Sequence, residues 1–190
     1  SQIIFYRIYR KNGRRRKGVK CDSKANTLKP YLDCIQTTLR ATLVLQNFPS
    51  ESVERHNKPE IEIQSSKISV MKPILICRTD KERCFIEPSI NSVRVSIKIK
   101  QSDEMENVLC RNFTRFLMQR AENFAILRRK PVDGYDISFL VTFSTLEEYD
   151  RERVIAFIMD FMGGIDAEIS AMKIGVNARA RGVASQFMRR

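Results

Sequence analysis

The hydrophobic residues in the last quarter of the chain recur with a helical period. Ten positions spaced by three or four residues follow an eleven-residue pattern. Eleven residues match three turns of an undistorted α-helix, so these positions share one nearly straight stripe. A capping box of Ser144 and Glu147 marks the start, and we predict a helix over residues 144–187. The stripe consists of Val154, Ile158, Phe161, Ile165, Ile169, Met172, Val176, Ala180, Val183 and Phe187.

The length of this helix predicts a partner chain. At ~1.5 Å per residue it runs to roughly 60 Å, whereas a compact domain of this size has a radius of gyration of about 16 Å. One end should project, and another chain should cover its apolar residues. The alternative is a shorter helix buried within its own domain, favoured by Gly163 and Gly164, which together cost about 2 kcal/mol relative to alanine. The residues assigned to the partner contact are Ile165, Ile169, Met172, Val176, Val183 and Phe187.

The chain before this helix contains segments with a helical hydrophobic pattern and segments with the alternating pattern of β-strands. Helical stripes occupy residues 28–44 and 102–120. Alternation of apolar and polar residues predicts antiparallel strands with one apolar and one charged face, so helices should cover only one face of the sheet. The order helix, four strands, helix, two strands, long helix indicates an α+β fold, as a single domain over residues 27–190. The strands are predicted at residues 60–64, 73–77, 84–87, 94–100, 124–127 and 136–143.

The charge of the chain is concentrated near its N-terminus. The net charge is +12, but residues 1–26 hold nine Lys or Arg against one acid and account for eight of these charges. The body is only mildly basic, so a basic binding face has to rest on local clusters. We interpret residues 1–26 as a disordered extension or an appendage. Its alternative roles are a nuclear-localisation or RNA-contacting tail, part of a transit peptide, or an extension peculiar to this chain.

The sequence contains little that suggests catalysis, a cofactor or a metal. His56 is the only histidine and lies in a polar loop, and neither a nucleophile elbow nor a phosphate-binding Walker motif occurs. The five cysteines form no CxxC pair, which predicts a reducing, intracellular setting and no zinc site. No apolar run approaches the roughly 20 residues of a transmembrane helix. Four cysteines occupy apolar-periodic positions typical of a core: Cys34, Cys77, Cys84 and Cys110.

Two basic clusters are predicted at structured positions. Arg128, Arg129 and Lys130 precede a turn signalled by Asp133-Gly134, which places them at an exposed hairpin tip. Arg179 and Arg181 make the end of the long helix positive. Such surfaces suit an acidic partner, either nucleic acid or an acidic protein such as an actin filament, or else they are solvated faces without a partner. Aromatic residues, which single-stranded nucleic acid would favour, are missing from both clusters.

Several long strings of the sequence resemble subunit four of the actin-related protein 2/3 complex, from about residue 27 to residue 187. The N-terminal extension departs from that family, as do Gly163, Gly164 and Gly182, where better helix formers are expected. The strings are ERHNKPE at 54–60, SINSVRVSI at 89–97, RAENF at 120–124, LRRKPVDGYDISFL at 127–140 and VNARAR at 176–181.

The resemblance implies a non-catalytic scaffold subunit of a machine that nucleates branched actin filaments. In that family, subunit four pairs with subunit two through long C-terminal helices. The pair holds the actin-related proteins and lies along the mother filament. Because the actin-related proteins bind the ATP, no cofactor is expected in this chain. No membrane contact is expected either, since the chain lacks a long apolar run. The implied location is the cytoplasm and actin cytoskeleton, at the cell cortex and in protrusions.

The alternative function is that of a basic nucleic-acid-binding protein that uses the N-terminal extension. The family's filament contacts carry over to Arg128, Arg129, Lys130, Arg179 and Arg181.

Overall fold

The computed structural model describes residues 7–8, 27–45, 59–63, 68–119 and 126–187. Within them the fold is α+β, which confirms the predicted class. The sequence prediction for the rest of the N-terminal extension, and that for the loop around His56, lie outside the described residues. The elements in chain order are β1 (Arg7–Ile8), α1 (Leu28–Thr42), α2 (Glu60–Ile63), β2 (Ile74–Cys77), β3 (Arg83–Pro88), β4 (Ser92–Lys98), α3 (Glu104–Gln119), β5 (Ile137–Thr142), α4 (Phe143–Glu148) and α5 (Arg151–Phe187).

The strands form one antiparallel sheet in sequence order, from β1 to β5. Its register keeps apolar side chains together, because Val95 of β4 pairs with Ile86 of β3 and with Phe139 of β5. One position along, Ser96 pairs with Phe85 and Ser138 and belongs to the opposite face. The sheet therefore has one apolar face and one more polar face, as the alternating sequence predicts.

Helices α1 and α5 pack against each other and cover the apolar face. Ile35 and Leu39 of α1 and Ile155 and Ile158 of α5 are fully buried in the same core as the inward residues of β3, β4 and β5. Phe139 meets the Phe161 ring edge-on, with ring centroids 5.2 Å apart. The amphipathic stripes of both helices thus match the hydrophobic side of the sheet.

The sheet has fewer strands than the six predicted. Residues 60–63 alternate like a strand but form α2, one helical turn whose Glu62 and Ile63 amides donate to the Pro59 carbonyl. Side chains of β4 and the preceding loop stabilise it, because the Glu60 amide donates to Asn91 Oδ1 at 3.0 Å. In the predicted strand 124–127, Leu127 makes a single bridge to Phe139, whereas residues 124–125 are outside the described ranges.

The region predicted as one helix over residues 144–187 contains two. Helix α4 begins with a capping box of Thr142 and Thr145 rather than Ser144 and Glu147. The chain then turns to extended backbone at Tyr149 (φ −122°, ψ 131°). Asp150 starts the second helix by accepting a hydrogen bond from the Glu152 amide at 3.0 Å. Helix α5 continues through Gly163 and Gly164 without a break.

Candidate interaction surfaces

Helix α5 extends beyond the body of the protein. Its 37 residues correspond to about 55 Å at ~1.5 Å per residue. The first half is embedded, with Val154, Ile158 and Met162 buried. From Ile174 to Gly182 every residue is exposed, and Ile174 and Val176 keep 67% and 42% of their surface in solvent. The second half of the helix therefore projects with bare apolar side chains.

The α5 residues assigned to a partner contact differ in how deeply they are buried. Ile165 and Ile169 are only 5% exposed and pack into the chain's own core. The protein itself therefore covers these two side chains, and their assignment to a partner contact stays a prediction. Met172 is half-buried against the same core, and Val176 is exposed. The side chains of Val183 and Phe187 lie outside the described part of the chain, so their assignment stays a prediction.

Three ion-pair groups hold α5 to the body before it projects. Arg40 of α1 bonds Glu152 at 3.0 Å, and Arg78 reaches Asp166 at 3.4 Å. Lys173 lies between two carboxylates at the start of α3: it donates to Asp103, and its Nζ lies 3.0 Å from Glu106 Oε1.

The ion pairs among Lys173, Asp103 and Glu106 shift the pKa values of all three groups. The hydrogen bonds that Lys173 donates to Asp103 and Glu106 raise the pKa of Lys173. The hydrogen bond from Lys173 lowers the pKa of Asp103, and the Ser102 amide followed by Lys173 lowers that of Glu106. The Lys173 cluster is the last ion pair along α5 among the described residues.

Residues 127–137, which we term the basic hairpin, lie against the polar face of the sheet. Gly134 adopts a positive φ of 85°, as the predicted Asp133-Gly134 turn requires. Tyr135 next to it stacks on Phe85, with ring centroids 5.7 Å apart, and Arg83 lies 5.4 Å from the Tyr135 ring centre. Asp136 bonds Lys98 Nζ at 2.9 Å. The hairpin is therefore fixed to the sheet next to its turn, by stacking and charge.

The three cations of the basic hairpin differ in environment. Arg128 forms an ion pair with Glu62 of α2, and its amide donates to the Ser138 carbonyl at 2.9 Å. Arg129 and Lys130 follow as exposed residues. Arg128 is thus paired with Glu62 and less exposed than the two cations that follow it.

The second predicted basic cluster lies on the projecting half of α5. Arg179 and Arg181 are both exposed, and Arg181 Nε donates to the Asn177 carbonyl one turn earlier at 3.3 Å. The structure places these arginines on a different element from the basic hairpin, so a common partner would have to contact two separate surfaces.

Sequence reasoning missed a groove between α3 and the basic hairpin. The helical stripe over residues 102–120 predicts that the apolar side chains of α3 face the core, but Val108 is 51% exposed and Phe116 also faces solvent. The groove has a volume of about 460 Å³. A signal was present, because Val108, Arg111 and Arg115 lie three and four residues apart on one side of the helix.

The described residues contain no helix long and apolar enough to cross a membrane, and no cluster of His, Cys, Asp and Glu that would hold a metal ion. Cys34, Cys84 and Cys110 are buried thiols. Burial raises the pKa of Cys110 to about 11 and also raises that of Cys84. Both thiols are therefore protonated at neutral pH and belong to the core, as predicted.

Comparison with known proteins places this architecture in a family. The family model for the ARP2/3 complex 20 kDa subunit (ARPC4) matches residues 24–190. The probable actin-related protein 2/3 complex subunit 4 of Caenorhabditis elegans is 55% identical over 164 residues, which cover 86% of this chain and 97% of the relative. The subunit 4 proteins of Dictyostelium discoideum and Saccharomyces cerevisiae are 55% and 47% identical, over 84% and 86% of this chain and 95% and 96% of their own lengths. The chain therefore belongs to the ARP2/3 complex 20 kDa subunit (ARPC4) family.

Proposed function

We propose that this chain is a non-catalytic structural subunit of an actin-related protein 2/3 complex and takes part in branched actin nucleation. Family membership supports the assembly, since the relatives named as subunit 4 align over at least 95% of their lengths. The observation that carries a scaffold role is the projecting half of α5, which has exposed apolar residues and no covering element among the described residues. Its site of action is the cytoplasmic actin cytoskeleton, at the cell cortex and in protrusions.

The projecting half of α5 is the proposed contact with subunit two. Its helical state depends on propagation from the embedded half, and Gly175 and Gly182 each weaken it by about 1 kcal/mol relative to alanine. Added Cβ atoms at these glycines would meet nothing within 4 Å. A partner helix would bury Ile174 and Val176 and stabilise the segment. Through this pair the subunit would help to hold the actin-related proteins.

The basic hairpin and the arginines of α5 are the proposed contacts with the side of the mother filament. Tyr135 and Asp136 fix the hairpin next to its turn, so Arg129 and Lys130 are presented on a rigid support. Pre-organised cations lose less conformational entropy when they meet acidic groups of a partner. Arg179 and Arg181 add a second positive surface, while Arg128 is already paired with Glu62.

No described feature favours the alternative, a nucleic-acid-binding protein that uses residues 1–26. The family match begins at residue 24 and so excludes nearly all of that extension. A variant without residues 1–26 is therefore expected to assemble.

The pairing is tested by co-expressing the tagged chain with the other complex subunits. Val176→Asp puts a charge on the apolar stripe and should reduce co-purification of subunit two at least roughly tenfold, because the carboxylate would be buried at the contact. Ser170→Asp is the matched control, since Ser170 is exposed on α5 and lies about 120° around the helix from Val176. Undiminished recovery of subunit two with Val176→Asp would exclude this helix face from the contact.

A further inference from the structure

We propose that the groove between α3 and the basic hairpin binds an acidic segment of a partner polypeptide that inserts an apolar side chain. The groove is distinct from the apolar stripe of α5 and from the cations assigned to the filament. The proposal rests on the proposed function in one respect: its test uses the assembled complex.

One side of the α3 helix forms the longer wall. Val108, Arg111, Asn112, Arg115 and Met118 line the groove, and these positions recur at helical spacing over about 15 Å of the axis. Pro131 and Asp136 of the basic hairpin line the opposite side. Because Tyr135 and Asp136 fix the hairpin to the sheet, the groove is pre-formed and does not require a rearrangement to receive a ligand.

The charge of the groove is positive and uncompensated. Arg111 and Arg115 are exposed, and neither forms an ion pair with another described residue. Like charges four residues apart destabilise a helix by about 0.2–0.5 kcal/mol, and an acidic partner would remove that cost. Asp136 does not neutralise the arginines, because its carboxylate is bonded to Lys98 Nζ and to the Ile99 amide, both at 2.9 Å.

Apolar groups lie on both sides of these cations. Val108 is 51% exposed at one end of the groove, Met118 is half-buried at the other, and the Pro131 ring belongs to the opposite wall. An apolar side chain entering between them would remove this surface from water. Arginines in the middle with apolar groups at the ends match a segment that carries Asp or Glu next to a large apolar residue.

Other classes of ligand fit less well. The exposed Arg111, Asn112 and Arg115 leave the groove open to solvent, whereas a small molecule needs a pocket that buries about 70–90% of its surface. No aromatic residue is among the described lining residues, so bases of a single-stranded nucleic acid would have no stacking partner. A polypeptide can cover an open groove along its whole length.

The test uses the photo-reactive amino acid p-benzoylphenylalanine in place of Asn112, in the middle of the groove, within the purified assembled complex. Irradiation is carried out with and without actin filaments, and the cross-linked peptide is identified by mass spectrometry. The same probe at Lys29, an exposed position on α1, is the control for non-specific reaction. We expect position 112 to react with a segment rich in Asp or Glu that contains a large apolar residue.

A second arm tests the role of charge. Arg111→Glu combined with Arg115→Glu should lower the yield of that cross-link at least roughly tenfold, because attraction is replaced by repulsion. Reversing Lys29 and Lys72, which are exposed elsewhere, should leave the yield unchanged. A complex that assembles and binds filaments but gives no cross-linked partner, or one cross-linked through a segment without acids, overturns the groove proposal and leaves the proposed function intact.

Discussion

At the scale of single residues, the basic hairpin combines one half-buried cation with two exposed ones. Sequence alone treats Arg128, Arg129 and Lys130 as one cluster, because consecutive residues in a loop give no information on their neighbours. The ion pair with Glu62 depends on α2, which lies more than sixty residues earlier in the chain. This ion pair connects the loop to α2, whereas Arg129 and Lys130, which follow it, are exposed at the surface.

A charge swap distinguishes a positioning role for Arg128 from a direct contact. Glu62→Arg combined with Arg128→Glu retains the ion pair and the net charge, so the complex should bind filaments about as well as wild type. Arg128→Glu alone places two carboxylates side by side and should weaken binding by roughly two- to fivefold, as expected for an exposed pair worth about 0.5–1 kcal/mol. Filament co-sedimentation at low salt measures both. If the swapped pair binds as weakly as Arg128→Glu alone, Arg128 itself contacts the filament.

At the scale of elements, the sequence predicts best where the hydrophobic period is long or strictly alternating. Helix α1 and strands β2 to β5 follow their patterns because core burial and local preference agree there. The segment at 60–63 is misassigned because its alternation is as short as one helical turn, and the side chains of Asn91 and Ser92 that stabilise the turn are distant in sequence. The break at Tyr149 and Asp150 is missed because the surrounding pattern is helical on both sides.

The attachment of α5 to α3 should depend on pH. Asp103 and Glu106 have lowered pKa values and Lys173 a raised one, so all three are charged at neutral pH. The contribution of the carboxylates is present at neutral pH and disappears as the pH falls through their lowered pKa values. The contribution of Lys173 is also present at neutral pH and disappears only as the pH rises through its raised pKa.

Lys173→Gln tests this dependence in the purified pair of this chain with its partner. The variant should have a lower free energy of unfolding than wild type at pH 7, and the difference should shrink towards zero as the carboxyls become protonated. Urea unfolding between pH 3 and pH 7 measures it. Lys72→Gln, which removes an exposed cation elsewhere, is the matched control. A difference that stays constant across this range would show that Lys173 acts through packing of its aliphatic chain.

At the scale of the whole molecule, the apolar stripe of α5, which repeats every eleven residues, contributes to two surfaces in succession. Its first positions bury into the protein's own core, and from Val176 onward the described positions are bare. The sequence pattern is continuous across this change, since burial by the same chain and burial by another chain require the same residue types. For this reason the projection could be predicted from length, whereas the point at which self-burial ends could not. That point lies near Met172, where the Lys173 cluster attaches the helix for the last time.

The filament contact is also a property of the whole molecule, because it would combine two elements. Outside residues 1–26 the chain carries only four of its twelve net charges, so attraction to an acidic filament must come from local clusters. Arg129→Glu, Lys130→Glu and Arg179→Glu together should weaken filament binding by roughly 10- to 100-fold, since exposed contacts contribute about 0.5–1 kcal/mol each and reversal adds repulsion. Single replacements by Gln should change little.

The measurement is co-sedimentation and branch counting over a range of salt, after gel filtration has shown that the variant complex is assembled. A triple reversal at the exposed residues Lys29, Lys72 and Lys81 is the control for net charge. Because salt screens exposed charges, the difference between the two triple variants should be largest at low salt. If the two triple variants bind filaments equally well at low salt, the hairpin and the α5 arginines do not contact the filament and are solvated surface.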